Sequence, residues 1–130
     1  MLAEAHSHRA TVLVIDDDRI IRMVVREALA DSGLHVLEAG TAAEGMEIAV
    51  EQSPDLIILD VMLPRVDGLA LLSELRARGV HAQVLVFSAT GASNADRAIA
   101  LGASGYLAKP FELSELRRCV NDLLDGRASA

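Results

Sequence analysis

The stretch Leu56-Ile57-Ile58-Leu59-Asp60 carries four aliphatic residues straight into an aspartate. A strand with one face in water alternates apolar and polar side chains, whereas an unbroken aliphatic run belongs to a strand covered on both faces. Two more runs read the same way, Thr11-Val12-Leu13-Val14-Ile15 and Val84-Leu85-Val86-Phe87, and they stop at Asp16 and Ser88. Working outward, weaker runs at 34–38 and 104–107 complete a set of five. The first of these mixes His35 and Glu38 among its apolar residues and suits an edge of the sheet.

Helical periodicity separates the runs. It is carried by Ile21, Val24, Val25, Ala28 and Leu29, by Ala42, Met46, Ala49 and Val50, by Leu69, Leu72 and Leu75, and by Leu113, Leu116, Val120 and Leu123. The Ala-rich segment 92–101 has a weaker period and reads as the fourth helix. Asp18 is placed to cap the first helix, and Gly33 and Gly79 to end the first and third. Five strand–helix units with short connections predict a parallel α/β sheet with right-handed crossovers.

With 130 residues and 52% hydrophobic side chains, the chain can bury one core and not two. Residues 1–10, with His6 and His8, read as a disordered leader, 11–125 as the domain and 126–130 as a frayed tail. The net charge is −7 and the longest basic cluster is the pair Arg117-Arg118. No surface for a nucleic-acid backbone or an anionic membrane is expected from that balance. Nor is there a run of about 18 apolar residues to span a bilayer, so a cytoplasmic location is expected. Cys119 is the single cysteine and shares a helical stripe with Leu116, Val120 and Leu123, which reads as a packing thiol.

Open parallel sheets hold their ligands outside the carboxyl ends of the strands. In this chain those ends carry Asp16-Asp17-Asp18, Asp60, Ser88 and Lys109-Pro110. Two unit charges 4 Å apart repel by about 4 kcal/mol at an effective dielectric near 20, so converging carboxylates call for a cation. All-oxygen ligands favour a hard ion, and magnesium takes one or two carboxylates while sharing a phosphate. Lys109 adds a mobile positive charge suited to a phosphoryl oxygen. Helix capping explains one of these acids and leaves Asp60 and Lys109 without a role.

The same residues fall in four stretches: Val12-Leu13-Val14-Ile15-Asp16-Asp17-Asp18, Asp60-Val61-Met62-Leu63-Pro64-Arg65-Val66-Asp67-Gly68, Phe87-Ser88-Ala89 and Gly102-Ala103-Ser104-Gly105-Tyr106-Leu107-Ala108-Lys109-Pro110-Phe111. Together they resemble the receiver domain of two-component response regulators over 11–124. An acidic pair alone would be unspecific; four stretches in order are specific. The resemblance implies a flavodoxin-like doubly wound (βα)5 fold with a five-stranded parallel sheet in the order 2-1-3-4-5.

It also implies roles. Asp60 accepts a phosphoryl group. Asp16, Asp17, Asp60 and the backbone carbonyl of Met62 hold Mg2+, with Asp17 the more direct ligand of the pair. Lys109 binds a phosphoryl oxygen, Ser88 turns to the phosphate after transfer, and Tyr106 moves with it. A cis Lys109-Pro110 bond is expected. Met62 and Thr90 occupy the positions that set phosphate lifetime.

The implied donor is a histidine kinase or a histidine phosphotransfer protein. The implied output face is formed by the fourth helix, fifth strand and fifth helix, which meets a downstream protein or a second copy in a phosphorylation-dependent homodimer. Such a domain catalyses its own phosphorylation and dephosphorylation only, as a whole single-domain regulator or a piece of a longer chain. Two departures stand out: Leu63 where methionine is frequent, and a segment 88–106 about one residue short.

The alternative is a Mg-dependent aspartyl-phosphate hydrolase, which usually carries a second aspartate two residues after the nucleophile, where this chain has Met62. A flavin module needs a hydroxyl- and glycine-rich loop after the first strand, and a nucleotide triphosphatase needs GxxxxGK[ST]; neither is present.

Overall fold

The computed structural model describes residues 9–88 and 92–129, with the side chains of 92–94 and 126–129 excepted. Five strands alternate with five helices. They are β1 (Thr11–Ile15), α1 (Arg19–Ala30), β2 (His35–Ala39), α2 (Ala42–Gln52), β3 (Leu56–Asp60), α3 (Gly68–Ala77), β4 (Gln83–Ser88), α4 (Ala92–Ala100), β5 (Gly105–Ala108) and α5 (Leu113–Ser129). All strand pairs are parallel, in the order β2-β1-β3-β4-β5. This is the doubly wound flavodoxin-like sheet that the resemblance implies.

Alternation along the strands splits the core into two layers. Leu13, Ile15, Ile57, Leu59, Val84 and Val86 meet residues of α2, α3 and α4, among them Ala49, Leu72, Leu75 and Ala98. Val12, Val14, Leu56, Ile58, Leu85 and Phe87 meet α1 and α5 through Val25, Leu29, Leu116 and Val120. Burying each such aliphatic side chain stabilises the fold by about 1.5–3 kcal/mol.

The helix ends follow local chemistry. Asp18 caps α1 by accepting from the N–H groups of Ile20 and Ile21. Gly33 and Gly79, at φ 79° and 84°, adopt the left-handed conformation after α1 and α3. There Leu34 N–H closes back onto Leu29 O and Val80 N–H onto Leu75 O.

The structure corrects several boundaries and faces. β2 and β5 each begin one residue later than the runs 34–38 and 104–107. At β2 the ladder sets the start, with Thr11 opposite His35 and His35 N–H donating to Ala10 O. At β5 Ser104 N–H donates to Val84 O just before the paired residues. Val50 and Leu113 are 49% and 40% exposed, because the buried face of α2 runs through Gly45 and Ala49 and that of α5 through Leu116 and Val120.

The backbone of α5 continues to Ser129, past the boundary drawn at 125. Arg9 is tied to the domain by bonds to Gly33 O and Leu34 O. Residues 1–8, with His6 and His8, lie outside the described residues, as do Ala89 and Thr90.

Candidate functional site

Because β1, β3, β4 and β5 are consecutive in the sheet, their carboxyl ends lie side by side. Ile15 pairs with Leu59, Asp60 with Phe87 and Ser88 with Ala108. Asp16, Asp60, Ser88 and Lys109 therefore share one rim, as read from the sequence.

Asp16 and Asp60 are buried, at 0% and 3% exposure. Each uses one oxygen to accept from the backbone two residues on. Asp18 N–H donates to Asp16 Oδ1 and Met62 N–H to Asp60 Oδ1, both at 2.9 Å. Lys109 Nζ bridges the remaining oxygens, at 2.9 Å from Asp16 Oδ2 and 3.3 Å from Asp60 Oδ2. Asp17 stands exposed beside them, and one oxygen from each of the three carboxylates falls within 4.8 Å of the others.

Burial is the leading influence on Asp16 and raises its pKa, with the charge of Asp60 acting in the same direction; the bonds from Asp18 and Lys109 offset this only in part. At Lys109 burial pulls the pKa down, but the hydrogen bond and charge of Asp16, joined by Asp60, outweigh it and hold the ammonium above its ordinary value. Three carboxylates against one ammonium leave a negative excess in a place half closed to water. That donor set, oxygen only and close-spaced, fits a hard divalent cation.

Lys109 is held from below as well, its Nζ lying over the ring of Phe87, which packs tilted against Phe111. The Lys109–Pro110 peptide is cis. Ser88 is buried, and its carbonyl accepts from Lys109 N–H at 2.9 Å. Tyr106 is half-buried and pairs with Val86, two residues before Ser88. Alternation puts Ser88 on the same sheet face as Val86, and Tyr106 packs into that same layer. Met62 lies on the rim, 57% exposed.

Three features were missed in the sequence, two of them at the site. Arg22 Nη1 donates to the Asp16 carbonyl at 2.6 Å, and its Nε bonds Glu38. Glu38 had a signal: it alternates with Val36, whose face of β2 packs under α1. The second is Asp67, which caps α3 by accepting from Leu69 N–H beside the bond from Gly68 N–H to Val61 O. The third lies away from the rim: Arg76 donates to Val80 O, Ala82 O and Gly102 O, ahead of β4 and β5.

Comparison with known proteins bears on what this rim is for. A family model described as the response regulator receiver domain matches residues 12–121. Response regulator MprA of Mycobacterium leprae is 39% identical over 115 residues, covering 87% of this chain and 50% of the relative. The chain thus spans about half the length of the curated relatives it matches. A response regulator receiver domain protein from Clostridium thermocellum superposes with a TM-score of 0.84 at 31% identity, over 92% of this chain and 97% of the other. The fold alone is matched by a receiver domain protein from Methanospirillum hungatei, with a TM-score of 0.88 at 24% identity, over 94% of this chain and 98% of that one. With the family model spanning most of the chain, the parallel sheet in its expected order and the acidic rim at its carboxyl end, the chain belongs to the response regulator receiver domain family of two-component systems.

Proposed function

We propose that this domain is a phosphorylation-dependent switch in a cytoplasmic two-component phosphorelay, accepting a phosphoryl group on Asp60 from a histidine kinase or histidine phosphotransfer protein. The observation that carries the reading is the bridge of Lys109 Nζ between the buried carboxylates of Asp16 and Asp60, with Asp17 alongside. In the reaction a carboxylate oxygen of Asp60 forms a bond to phosphorus. The phosphorus–nitrogen bond of phosphohistidine breaks, and its electron pair returns to the imidazole.

Asp16, Asp17, Asp60 and the Met62 carbonyl are the groups proposed to hold Mg2+. When bound, the ion supplies positive charge against the phosphoryl oxygens. Lys109, charged over a wider pH range than a free lysine, then follows one phosphoryl oxygen. The domain catalyses only its own phosphorylation and dephosphorylation in this reading.

A new phosphoryl group brings up to two negative charges and strong acceptors to Asp60. The Ser88 hydroxyl is proposed to move toward it and Tyr106 to repack behind, which changes the face formed by α4, β5 and α5. Support comes from the shared sheet face of Ser88 and Tyr106. That face is proposed to meet a downstream protein or a second phosphorylated copy.

The test is intact-mass measurement after acetyl phosphate or phosphoramidate with Mg2+. One phosphoryl group is expected on the wild type and none on Asp60→Asn. Equal labelling of the variant would overturn the assignment.

A further inference from the structure

The oxygen that Arg22 holds belongs to the peptide unit joining Asp16 to Asp17. Peptide units are planar, so a bond that fixes this carbonyl also fixes the direction in which the chain enters Asp17. Asp16 is further secured at both carboxylate oxygens, by Asp18 N–H and Lys109. Asp17 is exposed and takes its direction from the backbone that carries it.

The guanidinium is itself held in place. Its side chain is 17% exposed and lies across Gly40, where a Cβ would stand 3.1 Å from Nη1. Nε donates to Glu38 Oε1 at 3.2 Å, while Glu38 Oε2 takes Arg26 Nη1 at 2.7 Å. A planar fork that reaches two acceptors at once has little freedom left. The edge strand β2 thereby braces the β1–α1 turn through a charged clamp.

We propose that Arg22, clamped by Glu38, is a positioning residue for the metal-binding carboxylate of Asp17. It acts through the Asp16–Asp17 peptide and touches neither the ion nor the phosphoryl group. This deepens the function proposed above and rests on it. Outer partners of metal ligands typically change affinity by about ten- to a hundredfold, and the lower end is expected here because Arg22 is one peptide removed.

The experiment is calorimetric titration of Mg2+ into the full chain, with amide NMR spectra of the metal-free proteins. Arg22→Ala should bind Mg2+ about tenfold more weakly, with the Asp17 and Asp18 amide resonances shifted before any metal is added. Arg22→Lys keeps the charge and the apolar stem but loses the fork, so it should fold and remain weakened. It decides the matter if Arg22→Ala does not fold. Arg26→Ala breaks the other arm of the Glu38 clamp without touching Asp16 and should bind like the wild type.

Wild-type affinity in Arg22→Lys, an unmoved Asp17 amide, or equal weakening in Arg26→Ala would each overturn the proposal. A wild type that takes up no Mg2+ would overturn the functional reading itself, a result separate from any of these.

Discussion

Lys109 Nζ lies 4.9 Å from the centroid of the Phe87 ring, so the ammonium that bridges two acids also rests on an aromatic face. The negative face of the ring makes that place favourable by about 0.5–2 kcal/mol. Phe87 is fully buried and pairs with Asp60 across β3 and β4, which makes it the floor of the site.

Phe87→Leu keeps an apolar floor and removes the ring face. Stability should fall by about 1–2 kcal/mol. Uptake from acetyl phosphate should slow more than Mg2+ binding weakens, because Lys109 loses its seat while the carboxylates keep theirs. Urea unfolding and phosphorylation time courses measure the two effects.

Gly68 has no room for a side chain. A Cβ there would collide with Val61 Cα and stand 2.6 Å from the Asp60 carbonyl oxygen. Both are backbone atoms, so Gly68→Ala must displace the turn that follows Asp60, at about 1–3 kcal/mol, with weaker Mg2+ binding expected. Gly79→Ala is the comparison. Gly79 has positive φ and open space around it, so its alanine variant should lose about 1 kcal/mol and leave Mg2+ binding alone.

Asp16 carries a raised pKa, chiefly from burial, which means the fold prefers the protonated acid. The charged form therefore opposes folding above its folded pKa, and this opposition disappears as pH falls below the unfolded value of 3.8. In chelator, Asp16→Asn should be more stable than the wild type at neutral pH, and the difference should shrink as pH falls toward that value. Thermal unfolding across pH measures it. Lys109 has the opposite sense: its raised pKa adds stability that is lost only as pH climbs beyond 10.5.

Arg76 satisfies three carbonyls, those of Val80, Ala82 and Gly102, at 2.7–2.9 Å. Arg76→Ala leaves them without that partner and should destabilise the domain by about 1–3 kcal/mol. Mg2+ affinity should be unchanged, since all three lie away from the acidic rim. Chemical denaturation beside Mg2+ titration separates the effects.

Most of the sheet was legible because β1, β3 and β4 are buried on both faces and so write unbroken aliphatic runs. The rim was legible for a related reason: polar residues that end such runs, Asp16, Asp60 and Ser88, have little structural excuse. β2 and β5 slipped by one residue because exposed or short strands take their limits from neighbours, as Thr11 does for His35. Arg22 and Arg76 lie off the apolar stripes of their helices and carry no pattern of their own. Their partners are backbone carbonyls brought near by the fold, and a carbonyl leaves no mark in sequence. Ser53 ends α2 at φ 47°, a left-handed residue where glycine would have been the readable signal.

The ion pair between Asp16 and Lys109 joins residues 93 positions apart, and it forms only once the first and last strands flank β3 and β4. A chain still emerging from the ribosome holds the acids and lacks the lysine. A chain with β5 undocked has the three carboxylates of the rim and not the ammonium that bridges two of them. On the function proposed above, competence to take up a phosphoryl group would then certify completed assembly, and a half-made or partly unravelled molecule would stay silent.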